Sequence, residues 1–491
     1  MSKNRLPALI GLLLCFGAGR SHAAETAIDA DTAVRRALGG NLSLKSATLE
    51  VERARHDVVA EEDRYPYIFG AEAGFTRSES PRLSVGDTVS SSISRSYVVG
   101  SSLRRTFASG TSAEVRVQGD RFENETQQGF SGTAVGSGYG MTGRVSVTQP
   151  LMRGAGTRVG EAELRAARIS KALADKTRQR VTSEVIRDVL NAYWELWYAG
   201  QSVDIETAAL KLARAQESEA SERVKQGAIA PADVLTFTSR VAQLEENVVS
   251  ARTSKQQRAL DLARLMGALQ TESQNLTASS APPMTTQPIT SKELEASLRS
   301  GSIELAEAEA QIKLARSRAD VAGESSRARL DLDGYLQTEG VSTGIPKAMS
   351  RAAQMGWLTA HVGLTFEMPL SGSKGAAERA NAILGIRIAE NNVRVARDRI
   401  TAEALGAVQD QRAAERRMQL AERTLDVAIK AHEAEKTRYE LGQGLPITVQ
   451  QAEDDVRRAR LRVVRARVDL ARAEIAVQHL SGALYSRWVR G

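Results

Sequence analysis

The spacing of apolar positions changes along the chain between a helical and an alternating period, and each change marks a change of element. From about 159 to 226, and again from 376 to 441, there is no proline, and Ala, Arg, Glu, Leu and Val dominate. These residues propagate helices well, so each stretch is predicted as one continuous helix. At 1.5 Å per residue such a helix spans roughly 100 Å, too long for a compact core.

The segments that follow, 232–266 and 446–480, carry a seven-residue period. In the later one Val449, Val456, Val463, Leu470 and Val477 form one line, and Ala459, Ala466, Ala473 and Leu480 a second, three positions on. That is the a/d seam of a coiled coil, with small alanines that let helices approach closely. In the earlier one the lines are Val234, Val241, Val248, Lys255, Leu262 and Phe237, Leu244, Ala251, Arg258, Leu265. Lys255 and Arg258 interrupt the seam once and mark a face that meets water. Each returning helix is roughly half as long as the helix before it. The stretches 41–62 and 303–322 are predicted to stack end to end on them and complete the span.

After Tyr65-Pro66 the period drops to two. Tyr67, Phe69, Ala71, Ala73 and Phe75 alternate with Ile68, Gly70, Glu72, Gly74 and Thr76. The same alternation recurs in 97–107, 111–120, 141–147, 330–336 and 362–366, which makes six strands. Ala108-Ser109-Gly110-Thr111 is the short turn of an additional hairpin joining 97–107 to 111–120. Segments of roughly 10 residues with one apolar and one small or polar face fit barrel strands between lipid and a polar lumen; a soluble sandwich alternates in the same way. The Ser-, Gly- and Asp-rich stretches 78–95, 121–138 and 339–356 are predicted as long loops.

The chain also repeats itself. A shift of 215 positions superposes Leu210 on Leu425, Arg223 on Arg438, Gly227 on Gly442, Pro231 on Pro446, Leu265 on Leu480 and Gly267 on Gly482, without a gap. A weaker match pairs Gln149-Pro150-Leu151 with Met368-Pro369-Leu370. Self-similarity at this scale predicts two copies of one supersecondary unit, residues 24–280 and 281–491, each running helix, strands, long helix, turn, shorter helix.

The first 23 residues read as a secretory signal: Lys3 and Arg5, an apolar run Leu6 to Ala18, and the small-x-small site Ser21-His22-Ala23. Its apolar run is shorter than the roughly 20 residues of a spanning helix. No later stretch is apolar enough to span as a helix, so any membrane crossing must use strands. The only cysteine, Cys15, lies inside the signal and lacks the preceding small residue of a lipoprotein site. The mature chain therefore excludes disulfides, thiolate metal sites and a cysteine nucleophile. Loss of Lys3, Arg5 and Arg20 lowers the formal net charge from +7 to +4. Acids and bases interleave along the helices, which speaks against a nucleic-acid surface.

Catalytic chemistry is missing. His56, His361, His432 and His479 have no second histidine or cysteine at helical spacing, Gly154-Ala155-Gly156 is not followed by the Lys-Ser/Thr of a phosphate loop, and no Gly-x-Ser-x-Gly occurs. The expectation is a protein that is not an enzyme and carries no cofactor or metal. Tyr193, Trp194, Trp197 and Tyr198 cluster on the first long helix and are expected to pack helices.

Taken in order and twice over, the tips Arg223-Val-Lys-Gln-Gly227 and Arg438-Tyr-Glu-Leu-Gly442, the Gln-Pro-Leu and Met-Pro-Leu junctions and the closing Leu-x-Gly resemble the TolC-like outer-membrane efflux proteins. The resemblance covers nearly all of the mature chain. It implies a mainly α protein with a β-barrel: three chains sharing an outer-membrane barrel, continued by a periplasmic coiled-coil tunnel of twelve helices in a Gram-negative bacterium. It implies a passive export duct of a tripartite efflux or type I secretion system, docked by a periplasmic adaptor that couples it to an inner-membrane pump. By the same resemblance Gly227, Ala228, Leu441, Gly442 and Gln443 match the adaptor-docking tips, and Asp233 and Tyr439 match constriction residues of the periplasmic gate. The chain departs from the pattern at Gly444, where an arginine is expected, and at Thr448 and Gln451, where an acidic ring is expected. Asp454 and Asp455, one turn further on, either replace that ring or lie on a solvated helix face. The family has four strands per chain, against six here. The competing expectation is a soluble periplasmic coiled-coil adaptor or scaffold.

Overall fold

The computed structural model describes residues 26–84, 88–127, 133–227, 229–268, 276–283, 293, 296–298, 301–370 and 374–489. The predicted signal and Ala228 lie outside them. In chain order the elements are β1 (Thr26–Ile28), α1 (Ala30–Gly40), α2 (Leu42–Glu62), β2 (Ile68–Ser84), β3 (Thr88–Thr106), β4 (Ser112–Gln127) and β5 (Thr133–Pro150). Then come α3 (Thr157–Gly160), α4 (Ala162–Lys225), α5 (Pro231–Leu265), β6 (Leu276–Ala278), α6 (Ile303–Ala319), β7 (Arg329–Ser342), α7 (Ile345–Ala353) and β8 (Trp357–Glu367). Helices α8 (Lys374–Glu440), α9 (Pro446–Leu480) and α10 (Ala483–Val489) complete the chain. Among the described residues no helix is long and apolar enough to cross a membrane.

Helices α4 and α8 are 64 and 67 residues long and unbroken, about 100 Å each. The returning α5 and α9 are both 35 residues, and their a/d lines face inward: Val241, Leu244, Val248 and Leu262 on α5, and Val449, Ala459, Ala466, Leu470 and Val477 on α9, are buried. At the interruption Arg258 is exposed and pairs with Asp261 at 3.5 Å.

The missing length is supplied end to end, as the lengths require. The α5 terminus meets the α1–α2 junction, where Asn41 Nδ2 donates to Leu265 O at 2.8 Å and Asn41 Oδ1 caps α2. The backbones touch there because both residues are glycine: a Cβ on Gly267 would lie 2.1 Å from Gly40 O. The α9 terminus meets the start of α6 in the same manner, through Gly482 and Gly301. Gly267 and Gly482 both take a positive φ, +70° and +75°, which ends a helix at no steric cost only for glycine.

At mid-height the helices gather around the largest core. Val185, Ile186, Val189, Leu190, Tyr193, Trp194, Leu196 and Trp197 of α4 pack there against α1, the end of α5, and Val468, Ala471 and Ile475 of α9. The aromatic cluster is therefore packing, and the Tyr193 hydroxyl within it is satisfied: Tyr193 Oη donates to Ile28 O at 3.1 Å and accepts from Ser280 N at 3.0 Å. These contacts tie α4 to the small parallel pair β1–β6.

All six alternating segments join one antiparallel sheet of order β2-β3-β4-β5-β7-β8. Here the structure corrects the loop expectation. Strands β2 and β3 extend through most of 78–95, β4 and β5 through most of 121–138, and 339–356 holds the end of β7 and helix α7. Serine and glycine weaken the side-chain signature of a strand, but the ladder is made by backbone groups, so pairs such as Ser78↔Ser94 and Asn124↔Gly136 continue it. Helix α4 begins three residues later than expected. The reason is local: the backbone at Gly160 lies against the β3–β4 turn, where a Cβ would come 2.0 Å from Ala108 O.

The register sorts the side chains by face. Phe69, Leu103, Val115, Val145, Leu336 and Ala360 stand side by side in one row across all six strands. The next row on the opposite face is Gly70, Ser102, Arg116, Arg144, Gln337 and Thr359. The apolar face is open: Phe69 is 71% exposed, Val362 79% and Leu364 67%. The polar face carries Arg116 paired with Glu72 and with Glu114, each at 3.1 Å.

Candidate functional site at the hairpin tips

The two hairpin turns lie together at the end of the helical part remote from the sheet. Each begins with a glycine at positive φ, Gly227 at +73° and Gly442 at +74°, and each next helix begins with proline at its first turn. The glycine ends one helix and the proline, whose missing N–H costs nothing at that position, starts the next. At the second tip Gln443 N donates to Arg438 O at 2.8 Å and Gly442 N to Tyr439 O at 3.0 Å. Gly227, Leu441, Gly442 and Gln443 are exposed, so the expected docking residues form an accessible rim. The sequence reading missed Leu445 and Ile447, which are exposed beside Leu441 and make the rim apolar. Their signal, two large apolar residues flanking Pro446 at the start of the helix, is readable in retrospect.

Of the four gate candidates the structure brings two together. Asp233 and Tyr439 line one groove of about 790 Å³ between the hairpins. Tyr439 Oη accepts from Arg223 Nη1 at 3.2 Å, a contact between the two tips, while Arg223 is held charged by its hydrogen bond to Glu219 at 2.6 Å. Asp233 Oδ2 accepts from Ala230 N at 3.3 Å, so this acid also caps the helix it sits in. Thr448 and Gln451 are not part of the groove lining: the Thr448 hydroxyl donates to Leu445 O at 2.8 Å, and Gln451 is exposed.

Within the chain Asp454 is paired with bases. It faces Arg240 at 3.4 Å and Arg457 at 3.5 Å, while Asp455 pairs on the surface with Arg458 at 2.6 Å. Asp454 belongs to a half-buried network that sequence reasoning did not find. Arg240 meets Glu453 at 3.0 Å, Gln216 Nε2 donates to Glu453 at 2.7 Å, Arg457 meets Glu206 at 2.7 Å, and His432 faces Glu453 at 3.7 Å. The network joins α4, α5, α8 and α9 at one level above the tips.

Nearer the sheet, His479 of α9 packs half-buried against α4. Its Nδ1 lies 2.8 Å from Ser183 Oγ, and Arg187 Nη1 donates to its Nε2 at 3.3 Å. Burial first, and then the Arg187 charge, lower its pKa from the ordinary value of 6.5. A histidine kept neutral by folding takes its proton first in the unfolded chain, so stability rises with pH and is lost as pH falls below about 6.5. His479→Gln should therefore soften the drop in thermal stability between about pH 7 and pH 5. An unchanged drop would show that this side chain is not its source.

No protein-family model and no curated protein matches the chain. Solved structures match it along nearly its whole length. The outer membrane protein VceC from Vibrio cholerae superposes with a TM-score of 0.67 at 15% identity, covering 92% of this chain and 96% of that one. The CmeC outer membrane channel of Campylobacter jejuni gives 0.68 at 13% identity, covering 98% and 94%. The open state of the MtrE outer membrane channel of Neisseria gonorrhoeae gives 0.64 at 17%, covering 93% and 89%. The chain has the fold of these outer-membrane channels, as its resemblance to the TolC-like proteins led one to expect.

Proposed function

We propose that this chain is the outer-membrane duct of a tripartite efflux or type I secretion system: a homotrimer whose sheets share one barrel and whose helices form a periplasmic tunnel. Function in this reading is geometry, and no residue acts as a catalyst. The observation that carries it is the uncovered apolar face of the six-stranded sheet beside helices about 100 Å long. An uncovered apolar face of that extent calls for lipid, whereas a soluble coiled-coil adaptor would have to bury it. The two units 24–280 and 281–491 then give the trimer six quasi-equivalent tips. Gly227, Ala228, Leu441, Gly442 and Gln443, with Leu445 and Ile447, are the surface offered to an adaptor that in turn holds an inner-membrane pump. Residues 1–23 act as the export signal of a Gram-negative cell.

Two measurements test this. The mature protein should stay with the membrane through carbonate washing and conduct ions in planar bilayers; release by the wash with no conductance would end the duct reading. For the gate, Asp233→Asn keeps an acceptor for Ala230 N–H but removes the charge from the groove. Its single-channel conductance should exceed that of the unaltered protein, and an equal conductance would remove Asp233 from the gate.

A further inference from the structure

We propose that the barrel of this protein has eighteen strands, six from each of three copies, with the β3–β4 hairpin built into its wall. The inference rests on the duct reading and deepens it.

The hairpin is not an appendage. Strand β2 pairs with β3 along its whole length, from Ile68↔Arg104 to Ser84↔Thr88, and β4 pairs with β5 from Ser112↔Thr148 to Gln127↔Thr133. The apolar row passes through it at Leu103 and Val115, and the polar row at Ser102 and Arg116, without changing face. Its lower turn is docked on the strand-to-helix junction. Gly156 N donates to Ser109 O at 2.9 Å, Thr111 Oγ1 bonds Gln149, and a Cβ on Gly110 would lie 2.4 Å from Gly154 O. A hairpin resting on the outside of a four-stranded wall would leave β2 paired with β5. Here β2 and β5 are separated by both of its strands.

The occupants of the remaining edges follow. Among the described residues β2 and β8 each have one partner, so each presents an open row of backbone groups. Unpaired edges are not tolerated in hydrocarbon. With an even number of strands the edges run in opposite directions, so β2 of one copy meets β8 of the next in antiparallel fashion. Both offer apolar residues on the lipid side, Phe69 and Phe75 on β2, Val362 and Leu364 on β8.

Circumference favours the same count. A ring of twelve helices about 9.5 Å apart measures roughly 110 Å around. Eighteen strands about 4.8 Å apart and tilted by about 40° also measure roughly 110 Å, whereas twelve measure only about 75 Å. The extra hairpin lets the barrel continue the tunnel at nearly full width, so the tips rather than the barrel limit passage.

Because the mature chain has no cysteine, single cysteines report their own surroundings. Spin-labelled Val99→Cys and Val117→Cys, on the apolar face of the hairpin, should be relaxed by oxygen dissolved in lipid in vesicle-reconstituted trimers. Ser102→Cys and Gln118→Cys, on the other face, should be relaxed by a water-soluble nickel chelate. Images of the trimer in nanodiscs should show a barrel about 1.5 times as wide as a twelve-stranded one. If the chelate reaches both faces, or twelve strands are seen, the inference falls while the duct reading stands. If the trimer does not insert at all, both fall.

Discussion

Glu453→Ala is expected to destabilise the helical part by about 3 kcal/mol and, in the proposed duct, to raise conductance, because it strands a half-buried arginine. The Arg240 and Glu453 side chains are only 13% and 10% exposed, and the acid also accepts from Gln216. Removing one partner of such a pair leaves a charge without its counterion, which costs far more than the pair itself contributes. Asp454, at 3.4 Å from Arg240, remains and keeps the loss from being larger. The residues involved come from all four helices above the tips, so loosening them frees the hairpins to splay. The double variant Arg240→Leu with Glu453→Met should recover most of the stability, since apolar replacement of both partners removes the stranded charge. Thermal unfolding in detergent and bilayer recording check the pair of outcomes. A Glu453→Ala protein that melts and conducts like the parent would show that the network holds nothing together.

Gly267→Val should be at least as damaging, by about 3 kcal/mol or more, through a different mechanism. The position has φ of +70°, which a β-branched residue resists, and its Cβ would lie 2.1 Å from Gly40 O. The atoms it would meet are all backbone, so no side chain can swing aside. The end-to-end joint between α5 and the α1–α2 junction would have to open, and the protein should become more sensitive to protease. Gly200 makes the comparison: it lies inside α4, and a Cβ added there would meet nothing within 4 Å, so Gly200→Ala should be neutral or stabilising by up to about 1 kcal/mol. Equal behaviour of the two variants would refute the steric account.

Much of the fold was legible along the chain because its elements are long and their periods clean. Helix α4 was placed to within three residues, and α5 and α9 closely, since Pro231 and Pro446 mark their starts and Gly267 and Gly482 follow their ends. The strands were found but drawn too short. Their outer halves are rich in serine and glycine, whose side chains carry no alternation even though the backbone ladder continues. Among the site residues, the tip glycines were readable because a positive φ selects glycine. The pairing of Arg240 with Glu453 was not readable, because its partners are 213 positions apart and sit in an unremarkable interleaving of charges.

What the sequence determined by itself is the kind of the long elements and the length of the long helices: side-chain period and the placing of glycine and proline are local properties that survive without a neighbour. What only the tertiary structure decided is which strand lies next to which, that the extra hairpin enters the sheet, and that Asp454 faces two arginines. Those outcomes depend on backbone hydrogen bonds and charges brought together across hundreds of residues, and no local pattern encodes them.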